Sequence, residues 1–258
     1  MNAERIGQLA QAESGTGVVV EVVAQTGSTN ADLLARAPRL AGPLLLVAEH
    51  QTAGRGRAGR SWLSAPGHSL TFSLAWPFPG GLRQMAGLPL AVGVALAETL
   101  ARLGQPVQLK WPNDVLKDGD KLAGILVETS PAADGAVWAV IGIGLNLAMP
   151  DELEQQIGRP VAAVPWLARM DRDALLAALL DGLVEALRLF GQAGFAAFTA
   201  RWNLLHGWQG QTVTILDRGE VLHEGLAAGV DDSGRLLLDT QSGRVAIVAG
   251  DVSLRMKT

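Results

Sequence analysis

The sequence predicts a mixed α/β protein with a small all-β domain at its C-terminus. In the first 206 residues, short β-branched or apolar runs typical of strands alternate with two long apolar stretches typical of helices. From Gln211 onward, four short strand-like runs separated by turn residues replace this mixture. We therefore expect a principal domain at residues 1–206 and a small β-barrel at residues 207–258.

The elements of the principal domain follow from local patterning. Residues 1–16 are small and polar, so we expect a frayed lead-in. Thr29 and Asp32 form a capping-box pattern that opens a short helix ending near Pro38. Long helices are predicted between residues 81 and 104 and between 171 and 190. The predicted strands are 17–24, 44–48, 69–76, 107–110, 121–128 and 137–145, followed in the barrel by 212–216, 220–229, 235–239 and 243–249.

Composition limits the classes of function. The 258 residues are 48% hydrophobic and 18% charged, which favours a compact core over disorder. A net charge of -4 argues against a protein that coats nucleic acid, and the absence of cysteine excludes disulfides, thiol nucleophiles and zinc–thiolate sites. The N-terminus lacks a secretion signal, and the longest apolar runs are about half of the roughly 20 residues that span a bilayer. We expect a cytoplasmic protein with no nucleic-acid or membrane partner.

A glycine- and arginine-rich loop is the most informative stretch of the sequence. Three arginines and three glycines fall between Gly54 and Arg60. Glycine allows close approach of the backbone to a ligand, and guanidinium groups match phosphate or carboxylate oxygens, so this loop is suited to closing over an anion. The glycine spacing also matches a dinucleotide fingerprint and a P-loop, but both require a helix directly afterwards. A strand-like run, Ser69 to Trp76, follows instead, which supports neither.

Further polar groups follow the predicted strands. Ser28-Thr29-Asn30 follows the first strand, and Lys110-Trp-Pro-Asn-Asp114 follows another; both patterns are also compatible with a simple helix cap or turn. Lys121 begins an otherwise apolar strand, and Asn146 ends one. Without a cysteine, a metal-ligand pattern or a convincing serine triad, such a site works by binding and electrostatics. Phosphoryl or adenylyl transfer fits, because its charge develops on phosphate oxygens.

Four motifs in this order resemble those of the biotin protein ligases, also called biotin–[acetyl-CoA-carboxylase] ligases. They are Gly54 to Arg60, Lys110 to Asp114, Lys121 to Glu128 and Gly142 to Asn146, and the resemblance covers about residues 20–256. It implies a class II aminoacyl-tRNA synthetase-like mixed sheet flanked by helices, with a small SH3-like C-terminal barrel. It also implies that biotin and MgATP form biotinyl-5'-adenylate, which a lysine of a biotin carboxyl carrier protein then attacks.

The resemblance implies a role for individual residues. The implied catalytic residues are Arg57, Asp114 and Lys121. The implied biotin-binding residues are Ser28, Thr29, Asn30, Gln51, Arg55, Gly56, Arg57 and Lys121. The implied ATP-binding residues are Arg55, Arg57, Arg60, Trp62, Asn113 and Asn146. Trp62 would stack on adenine and Asn146 would bond it, while Asp114 would orient or deprotonate the incoming lysine. The sequence identifies no ligands for Mg²⁺.

Two departures and two alternatives accompany this resemblance. Bifunctional members carry an N-terminal winged-helix domain, but about 16 residues precede the first predicted strand here, so we expect a monofunctional ligase without operator binding. Ala58 stands at a loop position where a further arginine is possible, so the charge of the loop is slightly reduced.

Two alternative functions remain open. Lipoate protein ligase, which shares the fold and chemistry, is one alternative, and a non-catalytic module that holds the adenylate as an effector is the other. A homodimer is possible in this family.

Overall fold

Two β-sheets organise the chain in the computed structural model, which describes residues 1–15, 17–79, 81–132, 135–158, 160–217, 220–250 and 252–256. The larger sheet contains β1 (Val19–Thr26), β2 (Leu44–Gln51), β3 (Ser69–Phe78), β4 (Gln108–Lys110), β5 (Asp114–Lys117), β6 (Asp120–Pro131) and β7 (Val137–Asn146). Its order is β1-β2-β3-β7-β6-β5-β4. β1 and β2 are parallel and the other neighbours are antiparallel, so the sheet is mixed as expected.

Seven α-helices among the described residues accompany this sheet. They are α1 (Ala3–Ser14), α2 (Thr29–Arg36), α3 (Leu88–Arg102), α4 (Asp151–Ile157), α5 (Pro165–Arg169), α6 (Arg172–Ala193) and α7 (Thr199–Leu205). Buried residues of α1, α3 and α6 form the main core with one face of the sheet, and α2 packs on the opposite face with a smaller cluster. The expected sheet flanked by helices is confirmed. None of the described helices has the length and apolar character needed to cross a membrane.

Strand periodicity divides β7 between the two faces of the sheet. Ile141, Ile143 and Leu145 belong to the main core, and the alternate positions Gly142 and Gly144 belong to the other face. The apolar side chains fill the core face of β7. Because Gly142 and Gly144 have no side chains, the other face of the strand is left open. This opening is where the candidate site lies.

The prediction of a frayed lead-in at the N-terminus was wrong. Residues 3–14 form α1 rather than a frayed lead-in, with Ile6 and Ala10 fully buried against the main core. Few apolar residues make this contact, and the rest of the helix is polar enough to resemble a solvated tail.

The long helix predicted from residue 81 is shorter than expected, because a 3₁₀ turn at Leu82–Met85 precedes α3. The helices α4 and α5 were not predicted.

A five-stranded antiparallel sheet ends the chain. It contains β8 (Thr212–Asp217), β9 (Glu220–Val230), β10 (Leu236–Thr240), β11 (Gly243–Ile247) and β12 (Val252–Met256), in the order β11-β10-β9-β8-β12. Four of these strands match the prediction, and β12 was missed. Trp111 Nε1 donates a hydrogen bond of 3.1 Å to the Gly234 carbonyl. This bond connects the residue after β4 with the turn between β9 and β10. The domain boundary between residues 206 and 207 stays a prediction.

Candidate active site

A cleft of about 1000 Å³, including its open mouth, collects most of the predicted site residues. Its lining combines the junction of β1 and α2, the arginine–glycine loop, the end of β4 and the start of β6, and Leu254 and Arg255 of the C-terminal sheet also reach it. The predicted site residues in the lining are Ser28, Thr29, Asn30, Gln51, Arg55, Gly56, Arg57, Arg60, Trp62, Asn113, Asp114 and Lys121. Predicted site residues from Ser28 to Lys121 thus share one space, which Arg255 also reaches.

Two glycines on neighbouring strands form the floor of this cleft. Gly124 of β6 lies directly opposite Gly144 of β7, and the indole of Trp62 lies against both. A Cβ added to Gly144 would lie 2.2 Å from Trp62 Cε2, and one added to Gly124 would lie 3.1 Å from Cζ3. Trp62 Nε1 is buried and has no hydrogen-bond partner among the described residues. The glycines therefore create room for an aromatic ring, and stacking of Trp62 on adenine stays a prediction.

Ser28, rather than Thr29, caps α2. Its hydroxyl accepts a hydrogen bond of 3.4 Å from the backbone N–H of Ala31. The predicted capping box was thus wrong: the N-cap lies one residue earlier, and Ala31 has no polar side chain to complete a box. This leaves the Thr29 side chain available for the cleft. Thr29 Oγ1 lies 3.1 Å from Gln51 Oε1 and 2.7 Å from Ser73 Oγ.

The buried Asn30, which is 3% exposed, has a hydrogen-bond partner for each end of its side-chain amide. Its Nδ2 donates to Glu128 Oε2 at 2.9 Å, and its Oδ1 accepts from Ser73 Oγ at 2.7 Å. A Cβ on Gly142 would lie 2.4 Å from Oδ1, so this glycine is needed for the amide to fit. A buried polar group with satisfied partners is rigid, which suits recognition of a polar ligand.

Sequence reasoning missed two members of this network. Ser73 is a polar residue in the apolar run of β3, and Glu128 ends the Lys121 to Glu128 motif. Alternation along the strands was the available signal for Ser73, because Thr71 and Ser73 share a face opposite the apolar residues of β3. The contact between Glu128 and Asn30 spans 98 positions, which no local pattern indicates.

The arginine–glycine loop is closed by its own backbone. Gly56 N–H donates to the Arg60 carbonyl at 2.7 Å, and Trp62 N–H donates to the Gly54 carbonyl at 2.8 Å. At the tip, Ala58 takes a left-handed conformation with φ of 52°. The loop is thus a small hairpin that presents its arginines to the cleft.

Two loop arginines contact different parts of the site. Arg55 Nη2 lies 2.6 Å from Glu128 Oε1 in an ion pair. Arg57 donates to Asn113 Oδ1 at 3.2 Å and to the carbonyl of Gly250, just before β12. Arg57 therefore connects the loop both to the end of β4 and to the C-terminal sheet.

Asp114 holds two ammonium groups at the ends of neighbouring strands. Lys121 Nζ lies 2.5 Å from Asp114 Oδ1, and Lys110 Nζ lies 3.8 Å from Oδ2. The side chains of all three residues are less than one fifth exposed. Two cations around one carboxylate leave one excess positive charge, which suits an anionic ligand.

Asn146 is the one predicted site residue that does not line the cleft. It is 3% exposed, and its Nδ2 donates to the Ala162 carbonyl at 3.1 Å and to the Lys121 carbonyl at 3.5 Å. The amide therefore supports the backbone at the start of β6. A direct contact with adenine stays a prediction.

Comparisons with known proteins agree with this geometry. Residues 20–146 match the biotin/lipoate A/B protein ligase family, and residues 210–255 match the biotin protein ligase C terminal domain. The bifunctional ligase/repressor BirA of Escherichia coli is 36% identical over 262 residues, which cover 99% of this chain and 78% of that protein. The chain belongs to the biotin protein ligase family.

Other members of the biotin protein ligase family are also similar to this chain. The biotin–[acetyl-CoA-carboxylase] ligase of Mycobacterium tuberculosis is 38% identical over 241 residues, which cover 90% of this chain and 88% of that protein. The structure of the Aquifex aeolicus biotin protein ligase in complex with biotin and ATP superimposes with a TM-score of 0.78 at 29% identity, over 92% of this chain and 99% of that chain. Family membership therefore extends over both sheets.

Proposed function

We propose that this chain activates biotin with ATP and transfers it to a lysine of a biotin carboxyl carrier protein. The observation that carries the proposal is the convergence of Arg55, Arg57 and Lys121 with the Ser28 to Asn30 segment on one cleft. Cationic groups beside a rigid polar pocket are what the adenylation of a carboxylic acid requires. The crystallised Aquifex aeolicus relative, which was solved with biotin and ATP, supports the same two substrates.

Biotin binds at the polar end of the cleft in this proposal. The ureido ring offers two N–H donors and one carbonyl acceptor, and Ser28, Thr29, Asn30 and Gln51 offer both kinds of partner. The rigid network around Asn30 reduces the entropy lost on binding. The valerate tail then runs toward the loop, where Arg55, Gly56 and Arg57 line the cleft around its carboxylate.

The first step joins biotin to AMP. A carboxylate oxygen of biotin attacks the α-phosphorus of ATP, the bond from this phosphorus to the bridging oxygen breaks, and pyrophosphate leaves with the electron pair. Lys121 and Arg57 counter the negative charge that develops on the α-phosphate and the leaving group. Arg55, Arg60, Trp62, Asn113 and Asn146 are the further residues that we propose for ATP.

The second step transfers the biotinyl group. The neutral amine of the carrier lysine attacks the acyl carbon, the carbon–oxygen bond of the mixed anhydride breaks, and AMP leaves. Asp114 orients the incoming amine, and its carboxylate or water takes the proton that the nitrogen loses. The hairpin of the arginine–glycine loop keeps bulk water from the anhydride until the carrier arrives.

Magnesium is proposed as the partner of ATP. Among the described residues, no group of three or more His, Cys, Asp or Glu side chains could hold a metal ion, and Asp114 is engaged by two lysines. The part of the chain that the structure describes therefore does not fit a dedicated protein cage for Mg²⁺. This ion commonly binds through substrate phosphates and water, so it would enter with the nucleotide.

The carrier and the cellular setting complete the proposal. The Mycobacterium tuberculosis relative, named for acetyl-CoA carboxylase, supports a carboxylase carrier protein as the acceptor. We further propose a cytoplasmic enzyme that modifies protein rather than binding nucleic acid, either as a monomer or as a homodimer.

Intact-mass analysis of an apo biotin carboxyl carrier domain tests this function. The domain is incubated with the chain, ATP and Mg²⁺, and with either biotin or lipoate; a carrier whose acceptor lysine is replaced by arginine is the control. An ATP-dependent, biotin-sized mass increase on the wild-type carrier alone is expected. An increase with lipoate but not with biotin would assign lipoate ligation, and tight biotin binding without any transfer would assign a non-catalytic module.

A further inference from the structure

We infer that Glu128 is a positioning residue that holds the arginine–glycine loop against the biotin pocket. The inference rests on the proposed function for its role in catalysis. One carboxylate serves both parts: Oε1 lies 2.6 Å from Arg55 Nη2, and Oε2 accepts from Asn30 Nδ2 at 2.9 Å. The loop and Asn30 of the biotin pocket are therefore joined through a single side chain.

The placement of Glu128 explains why a carboxylate suits this position. Glu128 extends from β6 at a position paired with Val140 of β7, so the central strands of the sheet hold its backbone. Its side chain is 24% exposed, while that of Arg55 is 47% exposed. The less exposed Glu128 thus anchors the more exposed Arg55. An amide could satisfy Asn30 but would not attract the guanidinium by charge.

The two contacts of Glu128 predict separate effects. Loss of the negative charge weakens the anchor at the base of the loop, so biotinyl-adenylate should escape more readily. Loss of the acceptor oxygen also frees the Asn30 amide, so biotin itself should bind less well. Glu128→Gln removes the charge and keeps an acceptor oxygen, whereas Glu128→Ala removes both.

Limited trypsin digestion tests the anchor without any ligand. The loop carries cleavage sites after Arg57 and Arg60, and mass spectrometry measures the rate at these two bonds. Glu128→Gln should increase the rate about two- to fivefold, the range expected for a partly exposed ion pair. Glu98→Gln is the matched control, because Glu98 pairs with Arg201 at comparable exposure, 34% and 39%, on helices away from the loop.

A double-mutant cycle with Arg55→Gln shows whether the effect runs through this ion pair. If it does, Glu128→Gln adds nothing to the cleavage rate in the Arg55→Gln background. Equal rates for Glu128→Gln and the wild type, or an undiminished effect of Glu128→Gln in that background, would overturn the anchor.

Adenylate retention and biotin affinity connect the anchor to catalysis. Release of biotinyl-adenylate should be about two- to fivefold faster in Glu128→Gln, and the KM for biotin should rise in Glu128→Ala but not in Glu128→Gln. Unchanged release and an unchanged KM in Glu128→Ala would contradict the positioning role. A wild-type protein that forms no adenylate would refute the proposed ligase function instead, and the digestion experiment would still decide the anchor.

Discussion

Lys121 Nζ lies 2.5 Å from Asp114 Oδ1, so the ammonium proposed to meet the reacting phosphate is already paired in the substrate-free protein. The pair lies at the edge of the cleft, where both side chains are less than one fifth exposed. Substrate phosphates carry more negative charge than one carboxylate, so they can compete for Lys121. In the substrate-free protein Asp114 also has Lys110 as a second cationic neighbour, at 3.8 Å.

Replacement of Lys121 by glutamine should therefore impair the first step. We expect Lys121→Gln to lower the rate of biotinyl-adenylate formation by about 100-fold or more, as for other lost donors to a developing anion. The matched control is Lys117→Gln, because Lys117 lies on the neighbouring strand and donates to the Pro106 carbonyl outside the cleft. Equal rates for the two variants in a pyrophosphate-release assay would contradict the role of Lys121.

The role of Asp114 is tested in the second step. If its carboxylate takes a proton from the carrier lysine, Asp114→Asn should slow transfer from preformed adenylate by about 100-fold. The measurement is single-turnover mass analysis of the carrier domain. A full transfer rate in Asp114→Asn would remove the proton-acceptor role and leave the pairing with Lys121 and Lys110 as its contribution.

The floor of the cleft gives a steric prediction. A Cβ at Gly144 would lie 2.2 Å from Trp62 Cε2, so Gly144→Ala must displace the indole. Such overpacking costs about 1–3 kcal/mol, and we expect adenylate formation to fall by about tenfold. Gly42→Ala is the control, because a Cβ there meets nothing within 4 Å.

A second substitution isolates the cause of that loss. In the Trp62→Ala background, the indole is absent and Gly144→Ala should do little further harm. An equally large loss in that background would mean that the alanine disturbs the strand rather than the indole.

Local sequence patterns predicted those parts of the protein that depend on neighbouring residues. The apolar run of β7 and the amphipathic stripe of α6 gave their positions to within a few residues, because a buried strand is apolar throughout and a helix buried on one face has a period of 3.6. The glycine-rich composition between Gly54 and Arg60 likewise indicated a loop that approaches a ligand. The structure brings that loop to the other predicted motifs.

Contacts between distant residues were not predictable in the same way. α1 is polar apart from a short apolar stripe, and only its packing on α6 shows why Ile6 and Ala10 are buried. The Glu128 contacts with Arg55 and Asn30 depend on the register of β6 and on the path of the loop. The buried amide of Asn146 donates to the carbonyls of Ala162 and Lys121, two contacts that no local pattern indicates, and its contact with adenine stays a prediction.

The junction between the two sheets gives a stability prediction. A Cβ at Gly234 would lie 2.9 Å from Gly87 Cα, a backbone atom that cannot rotate away. Gly104 has the same φ of +76° but meets nothing within 4 Å. Both alanine variants would have a strained left-handed backbone, but only Gly234→Ala would also clash with Gly87. Gly234→Ala should therefore lower the free energy of unfolding by about 1–3 kcal/mol more than Gly104→Ala does. Urea denaturation measures both, and equal losses would show that the junction can relax.

His206, at the predicted domain boundary, gives a pH prediction. Burial lowers the pKa of its imidazole, although a hydrogen bond between Nδ1 and Gln209 opposes this shift. The native state therefore favours neutral His206, while the unfolded chain binds a proton near pH 6.5. Stability from this group is present above about pH 6.5 and is lost as the pH falls from there through the lower native pKa.

Urea denaturation between pH 5 and pH 8 measures this dependence, over a window that brackets the unfolded pKa. We expect His206→Asn to lower stability at pH 8 but to reduce the further loss at pH 5, because the protonation that favours the unfolded chain has been removed. His223→Asn is the matched control, since His223 is exposed on β9, and it should keep the acid loss of the wild type. If His206→Asn loses as much stability between pH 8 and pH 5 as the wild type does, another group is responsible for the acid sensitivity.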